Sequence, residues 1–143
     1  MDAADLDLRR RTYAAFVGHG RTIRPEELGD RDEVVAGWRR LHDAHALVLN
    51  PATDDEVRML NPFSLVPTAY RVRVRDRWWY ANCAWDAFGV CAALHADGRI
   101  ETSCPDCGDP LAIEVRDEMP DDASLLFHVL VPASHWWDDI VFT

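Results

Sequence analysis

The stretch Trp78-Trp79-Tyr80-Ala81-Asn82-Cys83-Ala84-Trp85-Asp86-Ala87-Phe88-Gly89 decides how the rest of the chain is read. Its first four residues form an apolar, aromatic run expected to be a buried strand. Asn82 is a residue type that caps helices, the segment after it has helical character, and Gly89 is a natural stop. This grammar predicts a strand running into a short helix with Cys83 in its first turn. There the unpaired backbone N–H groups and the positive end of the helix dipole would stabilise a thiolate and lower the thiol pKa. Asp86, three residues on, is expected on the same helix face as the sulfur. A thiol and a carboxylate side by side, walled by tryptophans, form a candidate soft-metal or nucleophile site. The competing reading makes Cys83 a small buried hydrophobe and Asp86 an ordinary first-turn acid.

Upstream of this stretch, Leu8, Thr12 and Phe16, with Tyr13 and Val17, follow helical spacing up to Gly18-His19-Gly20. Pro25 before Glu26, Glu27 and Leu28 reads as a short second helix. Asp30 with Glu33 opens a third, whose inner face carries Val34, Trp38, Leu41 and His45. Residues 46–49 and 57–60 flank a turn-rich loop, so three helices and a hairpin outline a winged helix. Residues 61–68 read as a proline-punctuated linker into a β-rich half. There Tyr70, Val72 and Val74 alternate with Arg71, Arg73 and Arg75, as in a strand with one face buried.

Downstream, residues 91–94 and 100–103 are expected as strands joined by an Asp97-Gly98 hairpin turn. Further strands are expected at 112–115 and 125–131, and a short terminal helix at 133–140.

A winged helix raises DNA binding, but the composition opposes it. Twenty-five acidic against fifteen basic residues give a net charge of −10, where phosphate binding needs a concentrated basic surface. The third helix offers Arg39 and Arg40 against Asp32, Glu33 and Asp43. No apolar run reaches the roughly 20 residues that span a bilayer. The acidic start lacks the pattern of a secretory signal, so a cytoplasmic location without membrane or nucleic-acid partners is expected. In that compartment the four cysteines are expected as thiols, metal ligands or catalytic groups rather than a disulfide frame.

Cys104-x-x-Cys107-Gly108 has the shape of half a zinc ribbon, but a tetrahedral site needs four ligands. Cys91 and His95 are the candidates to complete it. In a stretch read as strand, residues four apart stand more than about 10 Å from one another, which disfavours a structural zinc. A thiol pair that hands metal onward and a tight turn with buried cysteines are the alternatives. No phosphate-binding loop, dinucleotide fingerprint or nucleophile elbow is present.

Several segments resemble the alkylmercury (organomercurial) lyases. They are Asn61-Pro62-Phe63-Ser64 with Val66-Pro67-Thr68, Tyr80-Ala81-Asn82-Cys83-Ala84-Trp85-Asp86-Ala87, Phe127-His128-Val129-Leu130-Val131-Pro132, and Trp136-Trp137-Asp138-Asp139-Ile140-Val141-Phe142-Thr143. The similarity runs in order from about Asn61 onward, and the preceding helices fit that family's winged-helix-like region. The resemblance implies an α+β fold. A three-helix winged-helix-like module (1–60) packs on a mainly antiparallel β domain (61–143) that binds mercury. It also implies protonolysis of a carbon–mercury bond to a hydrocarbon and Hg(II).

Residue chemistry fits this reaction. Thiolate is the soft ligand for a soft metal, so Cys83 would hold mercury, while Asp86 would carry the thiol proton to carbon. Trp79, Tyr80, Trp85 and Phe88 are expected to form the apolar pocket for the organic group. No organic cofactor is implied. External thiols would remove Hg(II), and a flavin-dependent mercuric reductase would receive it.

In the family a second essential cysteine directly follows the motif matched by residues 139–143, and the sequence here stops at Thr143. Either the sequence is a fragment, or Cys91, Cys104 or Cys107 substitutes. A third alternative is that the protein binds mercury as a thiol-based metal binder or chaperone, or is a diverged relative, without efficient cleavage.

Overall fold

The computed structural model describes residues 1–141; the Phe142-Thr143 end of the last quoted motif lies outside the described residues. Helix α1 (Ala3–His19) opens at Asp2, whose carboxylate accepts the Asp5 N–H at 2.9 Å. It closes at Gly20, in the left-handed region at φ 68°, whose N–H reaches Phe16 O at 2.7 Å. Leu8, Thr12 and Phe16 are buried, as their spacing requires. The expected second helix is a single 3-10 turn, Pro25–Glu27. Helix α2 (Arg31–Asp43) starts at Asp30, whose carboxylate takes the Asp32 and Glu33 N–H groups, each at 3.1 Å.

Val34, Trp38 and Leu41 face inward, and the Trp38 indole N–H donates to the Thr12 hydroxyl at 2.9 Å. Thr12 in turn donates to Leu8 O, so both buried polar groups are satisfied. His45, expected on the inner face, lies past the helix end at φ 60° and stacks on Trp137 with ring centroids 3.9 Å apart.

Eight antiparallel strands follow: β1 (Val48–Leu49), β2 (Val57–Leu60), β3 (Phe63–Ser64), β4 (Arg71–Val74), β5 (Arg77–Ala81), β6 (Gly98–Ser103), β7 (Pro110–Arg116) and β8 (Met119–Pro120). They form one sheet in the order β1-β2-β3-β5-β4-β6-β7-β8. Strand alternation sorts its faces. Val72, Val74, Trp79 and Ala81 are buried, while Arg71, Arg73, Trp78 and Tyr80 point to solvent. The Trp78–Ala81 run, expected wholly buried, is therefore half-buried. The Arg71 guanidinium covers the exposed Trp78 ring at 4.4 Å.

Residues 61–68 are not a free linker. Phe63 and Ser64 form β3, which joins the hairpin β1–β2 to β5, and Phe63 is fully buried. Its ring meets Tyr13, Phe16 and Trp79 at centroid distances of 5.5, 5.4 and 5.2 Å, so the N-terminal helices and the sheet share one core.

Helix α3 (Ala84–Leu94) buries Ala87, Val90 and Cys91 against this core. It runs through Gly89, which was expected to stop it, and includes the residues 91–94 expected as a strand. Gly89 serves close packing instead: a Cβ there would come within 2.9 Å of the Pro62 ring. The helix ends at His95, left-handed at φ 46°. Asp97-Gly98 therefore links a helix to β6 rather than turning a hairpin. Gly98 admits the Cys91 sulfur, which would lie 2.6 Å from an added Cβ.

Residues 125–131 form no strand, and Leu126 and Leu130 are 96% and 81% exposed. The β8 edge of the sheet is only two residues long and ends in Pro120, which has no N–H to offer another strand. A 3-10 turn, Ala133–Asp138, stands where the terminal helix was expected.

Candidate active site

Cys83 is the N-cap of α3 rather than a residue of its first turn. Its backbone is extended (φ −148°), and its Sγ accepts the Asp86 N–H at 3.5 Å. The cap shifted by one residue because Asn82 is used elsewhere: its Nδ2 donates to the Asp86 carboxylate at 2.9 Å. The same Nδ2 lies 3.3 Å from both Asn61 Oδ1 and Pro62 O, which ties the helix start to the turn before β3. Asn82 Oδ1 is buried without a partner among the described residues.

Burial sets the electrostatics. It pushes the Cys83 thiol above its ordinary pKa; the N–H groups of Asp86 and Trp85 oppose the shift and the Asp86 charge adds to it. The expected lowering of this thiol is thus reversed, because desolvation at a half-buried sulfur outweighs the helix-start amides. Burial also raises the Asp86 carboxyl, against the Asn82 hydrogen bond. Burial thus makes both groups harder to ionise than they would be in water.

Cys83 opens into a cavity of about 500 Å³ with mostly apolar walls. Tyr70 and Ala84 flank the thiol, Pro105 and Asp106 come from the β6–β7 turn, and residues 127–131 with Trp136 form the far wall. The Trp136 indole N–H holds that wall by donating to Val131 O at 2.7 Å. Asp86 does not line this cavity; its backbone N–H touches the Cys83 sulfur and its carboxylate is held by Asn82.

The structure brings Cys83 and Asp86 together but does not gather the four expected pocket aromatics around them. Trp79 is a core residue, 6% exposed, and Tyr80 faces solvent on the opposite side of the sheet. Trp85 and Phe88 line a second hollow of about 580 Å³ with Cys91 and His95, although Trp85 also approaches the Phe127 ring at 6.2 Å. Tyr70, Phe127 and Trp136 take the wall positions. The motif at 127–132 and the tryptophan pair at 136–137 were the available signal, obscured by the reading of 125–131 as an ordinary strand.

Cys104 and Cys107 sit in the β6–β7 turn, closed by Gly108 N–H to Cys104 O at 2.9 Å and Cys104 N–H to Asp109 O at 2.8 Å. Cys91 is buried beneath Gly98, apart from them. Among the described residues no three or more Cys, His, Asp or Glu side chains are grouped to hold a metal. None of their helices is long and apolar enough to cross a membrane. Arg39 and Arg40, the cations of the would-be reading helix, pair with Asp54 and Asp5.

The fold and site define a class: an α+β protein with a thiol at a helix start that faces an apolar cavity, and a carboxylate one turn along the same helix. The sequence model of the MerB family, alkylmercury lyase, matches residues 63–143, and the chain belongs to that family. Among solved structures, the crystal structure of the mercury-bound form of MerB2 superposes with a TM-score of 0.68 at 19% identity. The match covers 85% of this chain and 60% of that one, so this chain spans about three-fifths of its length and shares its fold. No curated protein matches the chain.

Proposed function

We propose that this protein cleaves carbon–mercury bonds by protonolysis, with Cys83 as mercury ligand and Asp86 as proton carrier. The reading is carried by the start of α3, where the Cys83 sulfur lines an apolar cavity and accepts the backbone N–H of Asp86. An organomercurial enters with its organic group against Phe127 and Trp136. The Cys83 sulfur bonds to mercury as the anionic ligand the organomercurial carried leaves, and Asp86, whose raised basicity suits the task, takes the thiol proton. An external thiol, its proton already lost to solvent, adds as thiolate a second sulfur to mercury, which places negative charge on the bound carbon. Asp86 then returns the proton to carbon: the carbon–mercury bond breaks, hydrocarbon leaves, and Hg(II) remains between two sulfurs. Asn82 is a positioning residue that aims the carboxyl. A thiol-dependent acceptor such as a mercuric reductase would consume the Hg(II).

The test supplies phenylmercury and excess small thiol and reads benzene by gas chromatography. The wild type should release benzene, and Cys83→Ser and Asp86→Asn should each lose on the order of 100-fold or more in rate. Tight mercury binding without benzene from the wild type would replace the lyase by a thiol-based metal binder.

A further inference from the structure

We propose that Cys104 and Cys107 form a dithiol site for a thiophilic divalent cation of the Hg(II) class, placed beside the Cys83 cavity to receive the metal from it. The β6–β7 turn brings the two thiols together, and its crossing hydrogen bonds hold the loop closed. The two residues between them, Pro105 and Asp106, line the same cavity as Cys83. Cys104 is half-buried and Cys107 exposed, each next in sequence to one of those two lining residues.

The pair offers two thiol sulfurs, the soft donors that a soft cation prefers. With no third or fourth protein donor grouped nearby among the described residues, the pair suits a two-coordinate soft ion and not tetrahedral zinc.

The transfer step rests on the lyase reading; the binding site does not. After cleavage, Hg(II) lies between Cys83 and an external thiol. Cys104 sulfur bonds to mercury, the bond to Cys83 breaks, and the Cys104 proton passes to Cys83. Cys107 then displaces the external thiol in the same way. Two sulfur–mercury bonds form, two break, and no oxidant or reductant is needed.

Trypsin separates the sites, because the sequence has arginine at 77, 99 and 116 and no other arginine or lysine between. Residues 78–99 carry Cys83 and Cys91, and residues 100–116 carry Cys104 and Cys107. The reduced full chain, as Cys83→Ser, would receive one equivalent of mercuric chloride without oxygen, then iodoacetamide, digestion and mass spectrometry. Glutathione at about 100 µM would be present, below the on-the-order-of-millimolar effective concentration of a tethered second thiol.

The proposal expects both cysteines of 100–116 to alkylate at least tenfold more slowly with mercury than without. In the Cys83→Ser/Cys104→Ser/Cys107→Ser variant, glutathione should strip the metal. Alkylation of 100–116 at the metal-free rate overturns the site, as does protection confined to Cys91. Benzene release, measured in parallel on the wild type, separates the two readings. Protection without benzene sinks the lyase and keeps the dithiol; benzene without protection does the reverse.

Discussion

Phe63→Ala probes the joint between the N-terminal helices and the sheet that carries the site. Phe63 is fully buried, contacts three aromatic rings from α1 and β5, and pairs with Ala81 just before Asn82 and Cys83. Truncating a buried phenylalanine costs about 3–5 kcal/mol through lost burial and the cavity left behind. An unfolding entropy of about 2.1 cal/mol/K per residue is about 0.3 kcal/mol/K for 143 residues. The expected fall in Tm is therefore about 10–17 °C. Calorimetry or circular dichroism would measure it beside Trp85→Ala, whose 65% exposed ring should cost no more than about 0.5 kcal/mol. One cooperative transition is expected in every variant. A Phe63→Ala loss as small as that of Trp85→Ala, or two separate transitions in the wild type, would refute the shared core.

Thr12→Val should cost about 1–3 kcal/mol by orphaning the buried Trp38 N–H, whereas Thr12→Ser keeps that bond. Equal stability of the two variants by urea titration would contradict this. Asp86 has a carboxyl raised in the folded state, so the stability it contributes is present below the ordinary value of about 3.9 and lost as pH rises through the folded value. Asp86→Asn, which mimics the neutral form, should gain on the wild type as pH climbs through that window; a constant or shrinking gap in Tm against pH would be the wrong sign. Cys83 alkylation should show a midpoint above the free-thiol value of about 8.5, moving down in Asp86→Asn as the carboxylate charge is removed. A wild-type midpoint below that value would restore the helix-start activation that burial overrides.

The parts of the fold legible in the sequence are those where a local pattern meets one large partner surface. Leu8, Thr12 and Phe16 at helical spacing, and Val72 and Val74 between arginines, each declare a face that the core then accepts. The family motifs disclosed Cys83 and Asp86, and the structure sets them side by side. What the sequence concealed was decided by distant residues. Gly89 is locally a helix stop, and only the Pro62 ring makes it a packing glycine inside a helix. Asn82 is locally a cap, and only its reach to Asp86 and Pro62 makes it a tether between the helix start and the turn before β3. The Cys83 pKa was argued from the helix end alone, while burial depends on the whole surrounding surface. The apolar run at 125–131 satisfies a strand pattern, yet residues 127–131 wall the Cys83 cavity instead.

The central claim is that Asp86 protonates the carbon of an organic group held on mercury at Cys83. A single-turnover experiment addresses it directly: each protein is loaded with one equivalent of phenylmercury, given a monothiol, and followed by intact-mass spectrometry and benzene release. The wild type should lose the phenyl group as benzene. Asp86→Asn should retain the phenylmercury adduct on Cys83, with release slowed by about 100-fold or more. Release from Asp86→Asn at the wild-type rate, or an equally stable adduct in Cys83→Ser, would contradict the account.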